Sequence, residues 1–172
     1  MRTRAELFSK NGDTTLPLAS LTKILTALIA IRDIPTDQDV TISQTALNTE
    51  GESGLTLGEV WKLSDLSAFM LVVSSNDGAT ALRESYESYT GGSFIAAMNN
   101  KAQKLGISAR FVNETGLDMG FGLETNAGSA HDVALLLAAA LSEAPSLLES
   151  TRTESVIFTS KSGARHTAES TN

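Results

Sequence analysis

The sequence predicts an α+β fold with five helices and three or four short strands. Apolar residues recur at helical spacing in five segments, whereas short β-prone runs occur only near the two ends and in the middle of the chain. No repeat and no long linker divides the chain, so we expect a single domain over residues 1–172. The strands are so few that they form either one small sheet or a sheet that is partly missing from this chain.

The clearest helix follows Pro17 and ends before Pro35. Its apolar residues have the spacing of a single helical face: Leu21, Ile24, Leu25, Leu28 and Ile29. Residues 6–13, ahead of this helix, indicate a strand end and an Asn-Gly turn. Residues 40–43 are predicted to form a short strand, and residues 50–54 a loop.

Three more helices are predicted in the middle of the chain. Ser64 is expected to cap the first, whose apolar pattern breaks at residues 74–78. The second begins at residue 76 or 77 and ends at Gly91, and the third ends at Gly106, where glycine easily adopts a left-handed conformation. Residues 74–78 therefore form a short polar connection between two helices.

The fifth helix is predicted after a long loop. Residues 110–113 are strand-like, and the glycines within residues 116–128 indicate a loop. Ser129 and Asp132 have the spacing of a capping box, so the helix begins there, and it ends by Pro145. A last strand is predicted over residues 155–159.

The composition excludes several classes of function. The formal net charge is −7 and the basic residues are scattered, so we expect no nucleic-acid partner. No apolar run reaches the ~18–20 residues of a membrane-spanning helix, and no secretory signal is visible near Met1. Because the chain has no cysteine, it has neither disulfides nor thiolate metal sites nor a cysteine nucleophile.

Ser20 and Lys23 form a Ser-x-x-Lys motif at the start of the first helix. Residues three apart lie on the same helical face, so the hydroxyl and the amine can meet. A neutral amine can accept the serine proton when burial depresses the lysine pKa, and the helix N-terminus stabilises a developing oxyanion. The motif is expected about 0.7 times by chance in this composition, and the alternative is a capping serine beside a surface lysine.

Ser74 and Asn76 lie on the predicted connection between two helices, where catalytic groups are often presented. The same Ser-x-Asn spacing also occurs at Ser9 and Ser170, so the position rather than the pattern favours Ser74. The alternative is a helix cap, in which Ser75 or Asn76 accepts hydrogen bonds from the following helix.

Other kinds of chemistry receive little support from the sequence. His131 falls in the first turn of a capped helix and His166 in a polar tail, which argues against a Ser-His-Asp triad. The two histidines lack metal-ligand spacing, so we expect no metal and no other cofactor. No pair among the loop and cap carboxylates stands out as an acid and base: Glu50, Glu52, Asp65 and Asp77.

The order of the two serine motifs carries a resemblance to a known family. Residues 17–27 (PLASLTKILTA) and 74–79 (SSNDGA) resemble the serine D-alanyl-D-alanine carboxypeptidases, the low-molecular-mass penicillin-binding proteins. Residues 46–51 (ALNTEG), 111–118 (FVNETGLD) and 130–134 (AHDVA) are similar to that family in order and spacing. The resemblance extends over nearly the whole chain.

This resemblance implies a role for each motif residue. Ser20 would be the acylated nucleophile and Lys23 its base, Ser74 would relay a proton to the leaving group, and Asn76 would hold substrate and Lys23. The implied substrate is a peptidoglycan stem peptide ending in D-Ala-D-Ala, and β-lactams would acylate the same serine. The implied location is extracytoplasmic, in the periplasm or on the cell-wall side.

The resemblance also implies a serine β-lactamase/DD-peptidase-like fold, with a largely complete helical lobe and an incomplete antiparallel sheet. The family carries Lys-Thr-Gly on a strand beside the nucleophile, and this sequence contains none. Lys161-Ser162-Gly163 is similar, but it comes too early and is interpreted as a turn. We therefore expect a chain that is truncated at both ends and has little or no activity alone. Glu114 and His131 replace a usual proline and a usual arginine, and both are expected to be peripheral.

Two alternatives remain. A class A β-lactamase shares Ser-x-x-Lys, but it needs a deacylating glutamate with an asparagine four residues later, and no glutamate here has one. The other alternative is a degenerate relative that binds peptidoglycan without catalysis.

Overall fold

The structure is a computed structural model, and it describes residues 6–118 and 125–170. In these ranges the helices are α1 (Thr22–Asp33), α2 (Gln44–Leu47), α3 (Leu63–Val73), α4 (Asn76–Thr90), α5 (Phe94–Leu105) and α6 (Ala130–Glu143). The strands are β1 (Leu16–Pro17), β2 (Asp39–Thr41), β3 (Val60–Lys62), β4 (Ala127–Gly128), β5 (Ser155–Thr159) and β6 (Arg165–Glu169). They pair as three separate two-stranded antiparallel sheets, β1–β4, β2–β3 and β5–β6, of which only β5–β6 is a hairpin. The strands of residues 6–118 and 125–170 therefore do not gather into one sheet.

Helix α1 is the centre of the fold and contacts α3, α4, α5 and α6. From Leu25 to Ala30 every side chain of α1 is buried, and only Thr26 among these is polar. A helix that is buried all round must be apolar nearly all round, which explains the strong apolar run in this segment. Because α1 is held on several sides, the residues at its first turn have a fixed position.

Several predicted helix boundaries are confirmed. Gly106 ends α5 with φ +75°, the left-handed conformation that glycine adopts without a side-chain clash. Ser129 and Asp132 form a complete capping box at the start of α6. Ser75 Oγ accepts a hydrogen bond from the Gly78 N–H, so it caps α4.

Other predicted boundaries were wrong. Ser64 does not cap α3, because β3 runs directly into the helix and Lys62 takes the cap position. The predicted strand end at residues 6–13 is a coil, although its turn exists, with the Thr14 N–H donating to the Asn11 carbonyl at 3.0 Å. Residues 110–113 contribute only an isolated bridge to β4. The predicted loop 116–128 lies partly outside the described residues, at 119–124.

The interpretation of His166 as part of a polar tail was also wrong. His166 belongs to β6, pairs with Phe158 of β5, and stacks its ring near Trp61 at a centroid distance of 5.1 Å. Strand β6 is short and largely polar on one face, so it lacked the β-branched signal that predicts a strand. Residues 161–162 form the intervening turn, which confirms that Lys161-Ser162-Gly163 is a turn.

Candidate active site

Ser20 lies in a short 3₁₀ segment, Ala19–Leu21, immediately before α1. The Leu18 N–H anchors this segment by donating to the Asn126 carbonyl at 2.8 Å. Ala19 has φ +45°, an uncommon conformation for a residue with a side chain. The backbone therefore turns sharply just before the buried helix, and the Ser20 side chain is exposed.

Lys23 lies one turn further and is only 2% exposed. Its Nζ is 3.1 Å from Ser20 Oγ and donates to the Thr115 carbonyl at 2.7 Å. Burial lowers the pKa of Lys23 from 10.5 to about 8, although the negative charge of Asp77 opposes the change. An appreciable fraction of the amine is therefore neutral near neutral pH, as a general base for Ser20 requires.

Ser74 approaches the same hydroxyl from the end of α3. Its backbone is left-handed, with φ +58°, and its Oγ lies 2.8 Å from Ser20 Oγ. A residue with a side chain adopts this conformation at a cost of roughly 1–2 kcal/mol, and such strain concentrates at functional sites. The bend between α3 and α4 therefore brings the Ser74 hydroxyl within hydrogen-bond distance of the Ser20 hydroxyl.

Asn76, the first residue of α4, faces a different partner from the one expected. Its Nδ2 donates to the Glu50 carbonyl at 2.8 Å. No hydrogen bond to Lys23 is found for Asn76 among the described residues, and the Thr115 carbonyl holds the amine instead. The structure therefore brings Lys23 and Ser74 each within hydrogen-bond distance of Ser20, and connects Asn76 to the loop at residues 50–54.

Asp77 is a buried carboxylate beside the site that the sequence pattern did not single out. It is 3% exposed, and its Oδ1 accepts hydrogen bonds from Ser53 Oγ at 2.6 Å, from Ser75 Oγ and from the Gly78 N–H. Its position directly after the Ser-x-Asn motif was the available signal. Asp77 both connects the loop at residues 50–54 to α4 and acts electrostatically on Lys23.

Residues 113–116 form the loop that supplies the Thr115 carbonyl. Asn113 Oδ1 accepts hydrogen bonds from the Thr115 and Gly116 N–H groups, and Gly116 has φ +83°. A Cβ on Gly116 would lie 1.9 Å from the Ala19 carbonyl oxygen. The loop therefore approaches the Ser20 segment so closely that only glycine fits. The sequence predicted a strand-like run at residues 110–113 and a loop from Gly116, but no local pattern indicated that the Thr115 carbonyl accepts a hydrogen bond from Lys23.

Both histidines have carboxylate partners outside the Ser20 site. His131 is paired with Asp13 at 3.6 Å on the surface, and His166 bonds Glu59 at 2.7 Å. No cluster of three histidine, aspartate or glutamate side chains among residues 6–118 and 125–170 could hold a metal ion.

The family model for D-alanyl-D-alanine carboxypeptidase, peptidase S11, matches residues 2–171. The chain belongs to the peptidase S11 family. A D-alanyl-D-alanine endopeptidase of Pseudomonas aeruginosa is 33% identical over 139 residues, which are 77% of this chain and 42% of that protein. The chain spans between 34% and 44% of the length of the curated relatives it matches.

Solved structures confirm the predicted fold class. A D-alanyl-D-alanine carboxypeptidase from Mycobacterium tuberculosis H37Rv is 26% identical, with a TM-score of 0.79 over 95% of this chain and 60% of that chain. Penicillin-binding protein D2 from Listeria monocytogenes in its cefotaxime-bound form is 30% identical, with a TM-score of 0.74 over 96% of this chain and 67% of that chain. This S11 chain therefore has the α+β fold of the penicillin-binding DD-peptidases.

No single described helix of the S11 chain is long and apolar enough to cross a membrane. The pair Ala130–Glu143 and Pro145–Arg152, bent by 114°, meets the requirement of length and composition only when the two are taken together.

Proposed function

We propose that the site carries out serine-type acyl transfer on peptides that end in D-Ala-D-Ala. The observation that supports this most directly is the position of Ser20 Oγ, which lies within hydrogen-bond distance of both Lys23 Nζ and Ser74 Oγ. An exposed hydroxyl next to a buried amine of lowered pKa is the arrangement that activates a serine.

In the proposed mechanism Ser20 Oγ attacks the carbonyl carbon of the last peptide bond and loses its proton to neutral Lys23. Ser74 then gives its hydroxyl proton to the departing amine and receives the one held by Lys23, so the terminal D-Ala leaves as a neutral amine and an ester remains on Ser20. Water attacks the ester while Lys23 takes its proton, and that proton returns to Ser20 Oγ as the shortened peptide leaves. Asn76 offers its side-chain amide to the substrate backbone from the edge of the site.

The same chemistry accounts for the other partners that we propose. A β-lactam presents a strained amide to Ser20 and would form the same kind of ester. The structure of the cefotaxime-bound relative supports this part of the proposal. Peptidoglycan stem peptides as substrates imply an extracytoplasmic location.

We further propose that this 172-residue chain turns over substrate slowly by itself. Its sequence contains no Lys-Thr-Gly, and one missing oxyanion donor slows hydrolases about 10²- to 10³-fold. Endopeptidase activity is a second candidate, because the curated relatives include D-alanyl-D-alanine endopeptidases. A degenerate binding protein remains the non-catalytic alternative.

A fluorescent penicillin tests the proposal. We expect slow covalent labelling of the parent chain, seen as a fluorescent band after denaturing electrophoresis and located on Ser20 by mass spectrometry. Ser20→Ala should abolish labelling and Ser74→Ala should slow it about 10²-fold, whereas Ser88→Ala, at an exposed serine on α4, should label like the parent. Equal labelling of Ser20→Ala and the parent would refute Ser20 as the nucleophile.

A further inference from the structure

Arg83 of α4 forms an ion pair with Glu114, which lies in the loop whose Thr115 carbonyl accepts a hydrogen bond from Lys23. Glu114 was expected to be peripheral, but it is only 8% exposed. Its Oε1 accepts hydrogen bonds from Arg83 Nε and from Thr80 Oγ1, both at 3.0 Å. Burial lowers the pKa of Arg83, but the charges of Glu114, Glu87 and Glu84 and the hydrogen bond to Glu114 together raise it above its usual value, so the guanidinium stays charged.

The backbone of the same loop bonds α1 at two points one helical turn apart. The Glu114 carbonyl accepts a hydrogen bond from Thr26 Oγ1 at 2.7 Å, and the Thr115 carbonyl accepts one from Lys23 Nζ at 2.7 Å. Thus the Glu114 side chain is held by α4, while the adjoining carbonyls are held by α1. The loop connects the two helices beside the amine.

We propose that Arg83 is a positioning residue for Lys23, acting through the Glu114 side chain and the Thr115 carbonyl. This inference rests on the function proposed above. Without the guanidinium, a carboxylate in a largely buried position keeps only the Thr80 hydroxyl, which costs free energy unless the loop moves to hydrate it. Such a movement displaces the Thr115 carbonyl, and Lys23 Nζ then loses the acceptor that aims it at Ser20.

The chain offers a matched control for this pair. Arg83 also forms an ion pair with Glu87, one turn away on α4, at 2.8 Å between NH1 and Oε2. Glu87→Gln removes that charge without touching the loop, whereas Arg83→Gln removes the partner of Glu114. If Arg83 only stabilises α4, both variants should change the Lys23 titration and the rate of labelling. If Arg83 positions Lys23, only Arg83→Gln should change them.

The primary test is a direct titration of Lys23, which requires no enzymatic activity. Lysines carrying ¹³C at Cε are followed by NMR against pH, and the Lys23 signal is identified by its loss in Lys23→Arg. Arg83→Gln should raise the Lys23 midpoint by about half a pH unit or more, because Glu114 then acts without its counter-charge and water reaches the amine. Glu87→Gln should leave the midpoint unchanged, and Asp77, whose charge raises the pKa of Lys23, is present in every variant.

Labelling by fluorescent penicillin supplies the second readout. Arg83→Gln should slow acylation of Ser20 about ten-fold at pH values where Lys23 is fully neutral, because displacement of the base persists there. Arg83→Lys, which keeps the charge, should recover part of the rate. Glu87→Gln should react like the parent.

The outcomes separate the two proposals. Unchanged Lys23 titration and labelling in Arg83→Gln, or equal changes in Glu87→Gln, would overturn the positioning role. If Arg83→Gln does not fold, the comparison is made between Arg83→Lys and Glu87→Gln by the same titration. If the parent is not labelled at all, the proposed acyl transfer fails, while the titration still decides the role of Arg83.

Discussion

At the scale of single residues, Lys23 shows how the site separates a reactive group from solvent. Its amine is buried at the centre of the fold while the hydroxyl that it serves is exposed. Removing an ammonium from water costs free energy, so the amine releases its proton more easily than an ordinary lysine. The same burial that makes Lys23 a base therefore reduces the stability of the protein at neutral pH.

This cost gives a pH dependence with a definite sign. Between about pH 8 and about 10.5 the unfolded chain binds a proton at Lys23 that the folded chain does not, so the free energy of unfolding should rise with pH there. Urea unfolding at several pH values should show this rise in the parent, with a limit of about 3 kcal/mol, and not in Lys23→Met.

Lys104→Met, which removes an exposed lysine of α5, is the control and should keep the pH dependence of the parent. An equal rise in Lys23→Met and the parent would show that another group causes it.

At the scale of elements, the site is formed where ends of elements meet rather than within any element. The Ser20 segment precedes α1, Ser74 ends α3, and the Thr115 carbonyl belongs to a loop. Apart from Asn11, the described non-glycine residues with positive φ are Ala19 and Ser74, one beside Ser20 and one against it. Strained backbone persists only where the surrounding contacts hold it in place. Here the Ser20 segment contacts both Ser74 at the end of α3 and Gly116 in the loop at residues 113–116.

Gly116 tests how closely these ends must approach. Gly116→Ala should destabilise the protein by more than about 3 kcal/mol, because its methyl group would overlap the Ala19 carbonyl as well as face an unfavourable φ. Gly163 has a similar φ, +90°, but open space where a Cβ would lie. Gly163→Ala should therefore lower the free energy of unfolding by only about 1–2 kcal/mol. Urea unfolding measures both, and equal losses would mean that the close approach to Ala19 is unimportant.

At the scale of the whole molecule, three small sheets are held against one helical core. The β5–β6 hairpin attaches to the β2–β3 sheet by one buried and one exposed side-chain pair, and by hydrogen bonds from the Lys161 N–H to the Val60 carbonyl and from the Val60 N–H to Ser162 Oγ. The buried pair joins His166 to Glu59, whose side chains are 12% and 2% exposed, and the exposed pair joins Lys161 to Asp39. The His166 ring also lies 5.6 Å from that of Phe69 in α3, so the buried contact carries more of the attachment.

The buried pair should lose its contribution in acid. Burial raises the pKa of Glu59, but hydrogen bonds from His166, Ser160 and Thr56 lower it further, to below its usual 4.5. Its contribution to stability is therefore complete above about pH 4.5 and is lost as the pH falls through the lowered value. His166→Phe, which keeps a ring, should cost about 1–3 kcal/mol in urea unfolding near pH 6, and this difference should shrink near pH 3.

Lys161→Met removes the exposed pair and should cost less than about 1 kcal/mol at either pH. If His166→Phe proves no more costly than Lys161→Met, the buried pair is not the main attachment of the hairpin.

Elements with local signals could be predicted from the amino-acid sequence. The apolar period of α1, the capping box of α6 and the glycine at the end of α5 each depend on residues within a few positions of one another. The order of the Ser-x-x-Lys and Ser-x-Asn motifs likewise indicated the family and three side chains that meet. A helical spacing of three was enough to bring Ser20 and Lys23 together.

The surroundings of Ser20 and Lys23 depend on contacts between elements that are far apart in the sequence. The contact of His166 with Glu59, the Thr115 carbonyl at Lys23 and the Arg83–Glu114 pair all join residues that are distant in the chain, and Lys23 and Thr115 are 92 positions apart. Local patterns carry no information about such partners. The burial that lowers the Lys23 pKa is a property of the assembled core, because it depends on which elements exclude water from the amine.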